Sequence, residues 1–241
     1  MSRRNPTEGT RNPCTRWFEW AGGDDGGFVR WYDKDTKQTV RVEGAFTFLL
    51  LEELSTVKGW HEPSESSIYA NEVKDTRQDV LVVKSHKGGE LVSGLYKAIQ
   101  DSIVAQGGHY HASIYLAYKN GDGLKLGNLG LKGAALSAWM EFKKGAGKGI
   151  NTQAVTITGF TEGKKGKVVF RSPVFALKEV SAATNDQALE VDDLLAAYLA
   201  DYFKRPKAEA AKPAGNGYED EPPFAPEEHE PIFESEAEVP F

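Results

Sequence analysis

Past a polar start, apolar and polar side chains alternate with the period of two that half-buried strands require. Arg16–Trp20 reads RWFEW and runs into Gly22–Gly27, whose glycines and aspartates break regular structure. FVRWYD and QTVRVEG then flank Lys34-Asp35-Thr36-Lys37 as a hairpin, so a β-meander is the economical reading. Phe46–Leu54 is apolar on both faces, which predicts a buried strand that could break into a helical turn at Leu50–Leu54. Ser67–Val73 and Asp79–Lys84 are further short strands.

Between Gly89 and Gly107 the period lengthens. Leu91, Leu95, Ile99 and Ile103, with Val92 and Tyr96 beside them, predict an amphipathic helix of about four turns. A strand resumes at HYHASIYLAY, with His109, His111, Ser113 and Tyr115 on one face and the drier set Tyr110, Ala112, Ile114, Leu116 and Tyr118 on the other. Leu131–Lys144 reads as a helix, KKGAGKG as a loop, and Thr152–Phe160 with Lys167–Val180 as a hairpin across a basic turn. Asp186–Phe203 is a last helix, acidic near its start and basic at Lys204-Arg205, as the helix dipole prefers. Five or six short strands with a helix after the early ones suit a mainly β fold, an OB-fold-like five-stranded barrel with helical insertions.

Composition changes at Pro206. Of the 241 residues, those from Pro206 onward hold 2 Lys, 10 Asp plus Glu and 7 of the 11 prolines, a local charge of −8 against +2 for residues 1–205. Without periodic apolar residues that segment has no burial to offset its ordering entropy, so 206–241 is expected to be a disordered acidic tail behind a folded domain at 1–205. The single cysteine, Cys14, excludes an internal disulfide and a thiolate-rich zinc site. No apolar run approaches the roughly 18 residues of a membrane span, and no signal-like segment follows Met1-Ser2-Arg3-Arg4; a cytoplasmic protein with no membrane partner is expected. No coiled-coil pattern appears, which favours a monomer.

The chemistry lies in rings placed among cations. Trp17, Phe18, Trp20, Phe28, Trp31 and Tyr32 are interleaved with Arg16, Arg30, Lys34, Lys37 and Arg41. Unpaired bases stack on aromatic faces for about 1–3 kcal/mol each, while Lys and Arg follow the phosphates. Strand alternation sends Trp31 one way and Arg30 with Tyr32 the other; the outward pair is expected to be Arg30 and Tyr32. A second cluster comprises Trp60, His61, Tyr69, Arg77, Lys84, His86 and Lys87, with KSHKGG expected at a helix start that welcomes phosphate. Tyr115, Lys143 and Lys144 complete the expected contacts, the two lysines in a flexible loop.

Catalytic readings fare worse. GAGKG lacks the Ser or Thr and the earlier glycine of a phosphate loop. His109 and His111 share a face but find no third ligand in sequence, and Cys14 has no positioned base, so no cofactor and no enzyme activity are expected.

The chain ends ESEAEVPF. Glu234, Glu236, Glu238, Val239, Pro240 and Phe241 resemble the C-terminal tip of bacterial and bacteriophage single-stranded DNA-binding proteins, although Val239 and the alternating acids depart from the commonest pattern. RNPCTRWFEW, WYDK, IYANEV and LVVKSHKGGELVSGLY are similar to a divergent group of those proteins from tailed phages, over residues 11–120. The resemblance implies an OB-fold body that coats single-stranded DNA in replication, recombination or repair within a phage-infected bacterial cytoplasm. It also implies a terminal Phe side chain that fills an apolar pocket on a replication or recombination enzyme. The alternatives are an RNA-binding chaperone on the same fold and a metal-dependent nuclease using His109 and His111.

Overall fold

Alternation in the opening segments produces the strands it predicts. In the computed structural model, which describes residues 11–121 and 123–204, β1 (Arg16–Ala21), β2 (Phe28–Asp33) and β3 (Gln38–Arg41) form an antiparallel meander. Phe18 stands opposite Trp31 and Glu19 opposite Arg30, so the pleat sends Phe18, Trp20, Val29 and Trp31 to one face. That face joins the main core; Arg30 and Tyr32 take the other, as alternation requires.

β4 (Phe46–His61) is the spine of the sheet. Its two faces are both lined by apolar residues, and it stays extended where a helical turn was an option, with a β-bulge between Leu50 and Glu52 taking up the extra residue. β5 (Ser66–Ala70), β6 (Leu81–Ser85) and β7 (Gly89–Gly94) follow as hairpins. The predicted helix from Gly89 therefore starts late, as α1 (Tyr96–Ala105): Leu91 and Val92 lie in β7, where Val92 pairs with Val83. KSHKGG is thus a β-hairpin turn and not a helix start; Ser85 Oγ accepts from the Gly88 amide at 2.9 Å and Ser66 Oγ from that of Lys87 at 3.1 Å.

β8 (Gly108–Asn120) pairs along β4, and β9 (Gly123–Leu131), which has no strand-like composition, pairs antiparallel with β8 and parallel with β1. Where β8 begins, the backbones crowd: a Cβ on Gly59 would collide with the Gly107 carbonyl oxygen, so only glycine lets β4 and this turn approach. α2 (Gly133–Ala146) absorbs the first part of the expected KKGAGKG loop, and a 3-10 turn at Gly147–Asn151 takes the rest. Lys143 and Lys144 are consequently helical. β10 (Ala154–Lys165) and β11 (Val168–Lys178) form the expected closing hairpin, β10 running past the predicted end at Phe160 and β11 falling inside its predicted span, and α3 (Ala182–Tyr202) follows the N-cap Ser181, whose Oγ accepts from the Thr184 amide at 3.2 Å.

Among the described residues eleven strands form one sheet ordered β3-β2-β1-β9-β8-β4-β5-β6-β7, with β10 and β11 branching from the start of β4. The fold is mainly β, and its pairing is open-ended, with more strands than a five-stranded barrel. Helices bury both faces in part. α2 packs Trp139, fully buried, against Phe48 and Phe175, while α1 closes a second cluster around Val57, Ile68, Leu81 and Val83. α3 lays Val191, Leu195, Tyr198 and Tyr202 over Leu54, Tyr115, Ala117 and Leu126 on the opposite face, so the side of β8 expected to be wetter is buried as well. Among the described residues no helix is long and apolar enough to cross a membrane. The boundary at Pro206 and the segment with Glu234, Glu236, Glu238, Val239, Pro240 and Phe241 lie outside the described residues.

Candidate nucleic-acid interface

Register places the cations. Residues directly paired across strands share a face, and one such row runs Arg41, Arg30, Glu19, Gly130, Ser113, Leu54 across β3, β2, β1, β9, β8 and β4. A second row on that face runs His109, Lys58, Tyr69, Lys84 across β8, β4, β5 and β6. α3 covers the Leu54 and Tyr115 end; beyond its footprint the surface is a band of cations and rings that includes Arg30, Tyr32, Lys58, Trp60, Tyr69 and Lys84. Arg30 directly faces Arg41, a like-charged pairing that disfavours the sheet and favours an anion above it.

Cations and rings are also in contact. The Lys34 ammonium lies 5.5 Å from the Trp17 ring centre, the Arg41 guanidinium 4.3 Å from that of Phe28, and the Tyr69 and His86 rings are 4.8 Å apart. Burial and then the charge of Arg11 push the Lys34 pKa down. Glu19 tempers the band, with Arg30 3.9 Å away.

Of the residues expected from sequence, Arg30, Tyr32, Arg41, Trp60, Tyr69 and Lys84 are brought onto this face, and Lys34, His86 and Lys87 adjoin it from turns. His61 ends β4, its Nδ1 2.7 Å from Ser64 Oγ, and Arg77 stands in the β5–β6 loop. Five expected contacts are corrected. Phe18 is 2% exposed and packed among Phe46 and Tyr118, leaving its ring no face for a base. Tyr115 is 1% exposed beneath α3. Lys143 belongs to the opposite side of the sheet, 2.7 Å from Glu53 Oε2, which also accepts from Trp139 Nε1, and exposed Lys144 shares that helix. Arg16 lies on the Phe18 side, its guanidinium 3.9 Å over Trp31.

Sequence reasoning missed Lys58 and Glu72. Lys58 continues the alternation Leu54, Thr56, Lys58, Trp60, a signal hidden by the apolar run before it. Glu72 lies just past β5, its carboxylate enclosed between the band and α3, accepting from Ser113 Oγ and, at 2.6 Å, from Tyr115 Oη. Asn128 Nδ2 donates to Ser113 Oγ at 2.8 Å, and the Glu72 amide donates to Tyr202 Oη at 2.7 Å, which ties α3 to the sheet. Burial raises the Glu72 pKa against the lowering by those two hydroxyls and Lys58. Tyr115 is raised for the same first reason, and then by the Glu72 charge.

His109 and His111 point among cations. Burial and then Lys132 lower His109; burial, Lys58, Lys132 and His109 together hold His111 well below the ordinary range. Two lysines beside an imidazole pair repel a metal ion, and among the described residues no group of three or more His, Cys, Asp or Glu is placed to hold one. Compared with known proteins, the chain matches no family model, no curated protein and no solved structure.

Proposed function

We propose that the protein binds and coats single-stranded DNA with little sequence preference, as a non-catalytic partner in phage DNA replication or recombination. One observation carries the reading: a single sheet face sets Lys58 beside Tyr69 and His109, and Arg30 beside Arg41, with Tyr32 and Trp60 on the same face. Rings of this kind stack on any base, and cations in line with them meet the phosphates between bases. The bulge in β4 supports an OB-like presentation, because it bends the strand that carries Lys58 and Trp60.

The negative charge of the segment from Pro206 competes with DNA for the cations of the band, and Val239, Pro240 and Phe241 are the proposed contact for a replication or recombination enzyme. Titration of tryptophan fluorescence with poly(dT) and with duplex DNA, each at two salt concentrations, tests the central claim. Quenching by the single strand alone, weakened by salt, is expected; equal response to both, or none, rejects it. Competition between dT and U oligomers of equal length separates DNA from RNA as the ligand.

A further inference from the structure

Gly130 leaves a gap between Glu19 and Ser113 on the face that carries Lys58. Its backbone is one that any residue adopts, and a Cβ there would stand 3.8 Å from His111 Nδ1, 3.9 Å from Lys58 Nζ and 4.0 Å from the Phe18 carbonyl oxygen. The two nitrogens therefore border the same small recess above the Gly130 Cα. Lys58 is directly opposite His109 across the β4–β8 ladder, and Lys132, two residues past Gly130, adds a second positive charge whose field reaches both imidazoles.

His111 Nδ1 is shut away from solvent and has no hydrogen-bond partner among the described residues. A buried ring nitrogen in that position normally meets an acceptor or donor. Lys58 makes no ion pair among the described residues, and the acids around it are engaged: Glu19 on β1, paired with Gly130, lies 3.9 Å from Arg30, and Glu72 accepts from Ser113 and Tyr115.

We infer that the recess over Gly130 is an oxyanion site that takes one phosphate group between Lys58 and His111, with Lys132 supplying further positive charge. The inference rests on the proposed function only for its source of phosphate, the backbone of a bound single strand. Charge-assisted contacts of about 2.7–2.9 Å from Lys58 Nζ and a protonated His111 would hold the oxygens. In the free protein, burial, Lys58, Lys132 and the neighbouring His109 hold the His111 pKa well below its ordinary range; an anion in the recess opposes that lowering, so binding favours uptake of a proton. Affinity therefore rises as pH falls toward the ordinary imidazole range.

The test uses the full chain labelled with 15N, its histidine ring signals followed during titration with inorganic phosphate and, separately, with chloride at matched ionic strength. A saturable move of His111 toward its cationic signature is expected with phosphate alone. Gly130→Ala puts a methyl into the recess at ordinary contact distance, and should weaken phosphate binding at least about tenfold while leaving the free histidine spectrum native. Lys58→Met should do the same. A linear, chloride-like drift in the unsubstituted protein overturns the site, as does a Gly130→Ala protein that binds phosphate undiminished.

Oligo(dT) titrations by tryptophan fluorescence keep the two readings apart. If phosphate moves His111 while no oligomer binds, the recess stands and the single-strand reading falls. If oligomers bind, Gly130→Ala should lower the log–log salt slope by about 0.7, the loss of one phosphate contact, and an unchanged slope removes the recess from the strand's path.

Discussion

The Tyr115 hydroxyl donates to Glu72 Oε2 at 2.6 Å, joining a central strand to a carboxylate whose own backbone amide donates to Tyr202 Oη on α3. The arrangement is a polar knot inside an apolar layer, and its protonation state is linked to folding.

Because burial raises the Glu72 pKa above its ordinary value of 4.5, the folded state binds a proton more tightly than the unfolded chain does. The stability this contributes is complete below that value and is lost as pH rises through the elevated folded pKa. Urea midpoints should therefore fall as pH rises above about 4.5 in the native protein, with a smaller fall in Glu72→Gln. Equal slopes for both would detach Glu72 from the effect.

Replacing Tyr115 by Phe removes one donor to a buried carboxyl and leaves the ring packing intact. A loss of about 1–3 kcal/mol is expected from chemical denaturation, with the larger share appearing above the Glu72 pKa, where the carboxylate most needs the bond.

Trp139 is wholly buried between Phe48, Phe142 and Phe175, and its Nε1 donates to Glu53 at 3.0 Å. Trp139→Ala should cost about 3–5 kcal/mol through the cavity it opens, read as a drop in thermal or urea midpoint.

Opposite faces of the sheet should respond differently to DNA. Tyr69→Ala is expected to weaken oligo(dT) binding by about 1–3 kcal/mol, while Lys144→Ala, on the α2 side, leaves it unchanged. Fluorescence titration of the two variants side by side decides whether the band is the contact surface.

Truncation after Arg205 removes the −8 segment. Oligo(dT) affinity should then rise at low salt and converge with that of the intact chain at high salt, because competition for the band is electrostatic. Equal affinities throughout would end the competition idea and leave the binding face untouched.

How much was legible from sequence depended on whether a face could be recognised without its distant cover. Arg30 and Tyr32 lie across the pleat from Trp31, which packs against the main core, so the side they take could be read from alternation alone. Phe18 follows the same alternation, yet on paper it was one aromatic among several; only its pairing opposite Trp31 commits it to the core. Tyr115 shares a strand face with His109 and His111, and nothing near it announces that α3, contributed by far later residues, will close over that end. β9 escaped notice because Gly127 and Gly130 dilute its apolar pattern; the reason for Gly127 is tertiary, since the Phe18 and Tyr118 rings press within about 3 Å of where its Cβ would be. Leu91 and Val92 fit both periods, and pairing with β6 decided between them.

β4 holds β8 along one edge while its other edge is shared, Phe46–Phe48 with β10 and Lys58–His61 with β5. Neither wing owns a complete scaffold. Excising the β5–β7 hairpins or the β10–β11 arm would strip hydrogen-bond partners from the same strand, so hydrogen exchange should show both wings opening in a single cooperative event, and dissection into autonomous halves should yield insoluble fragments.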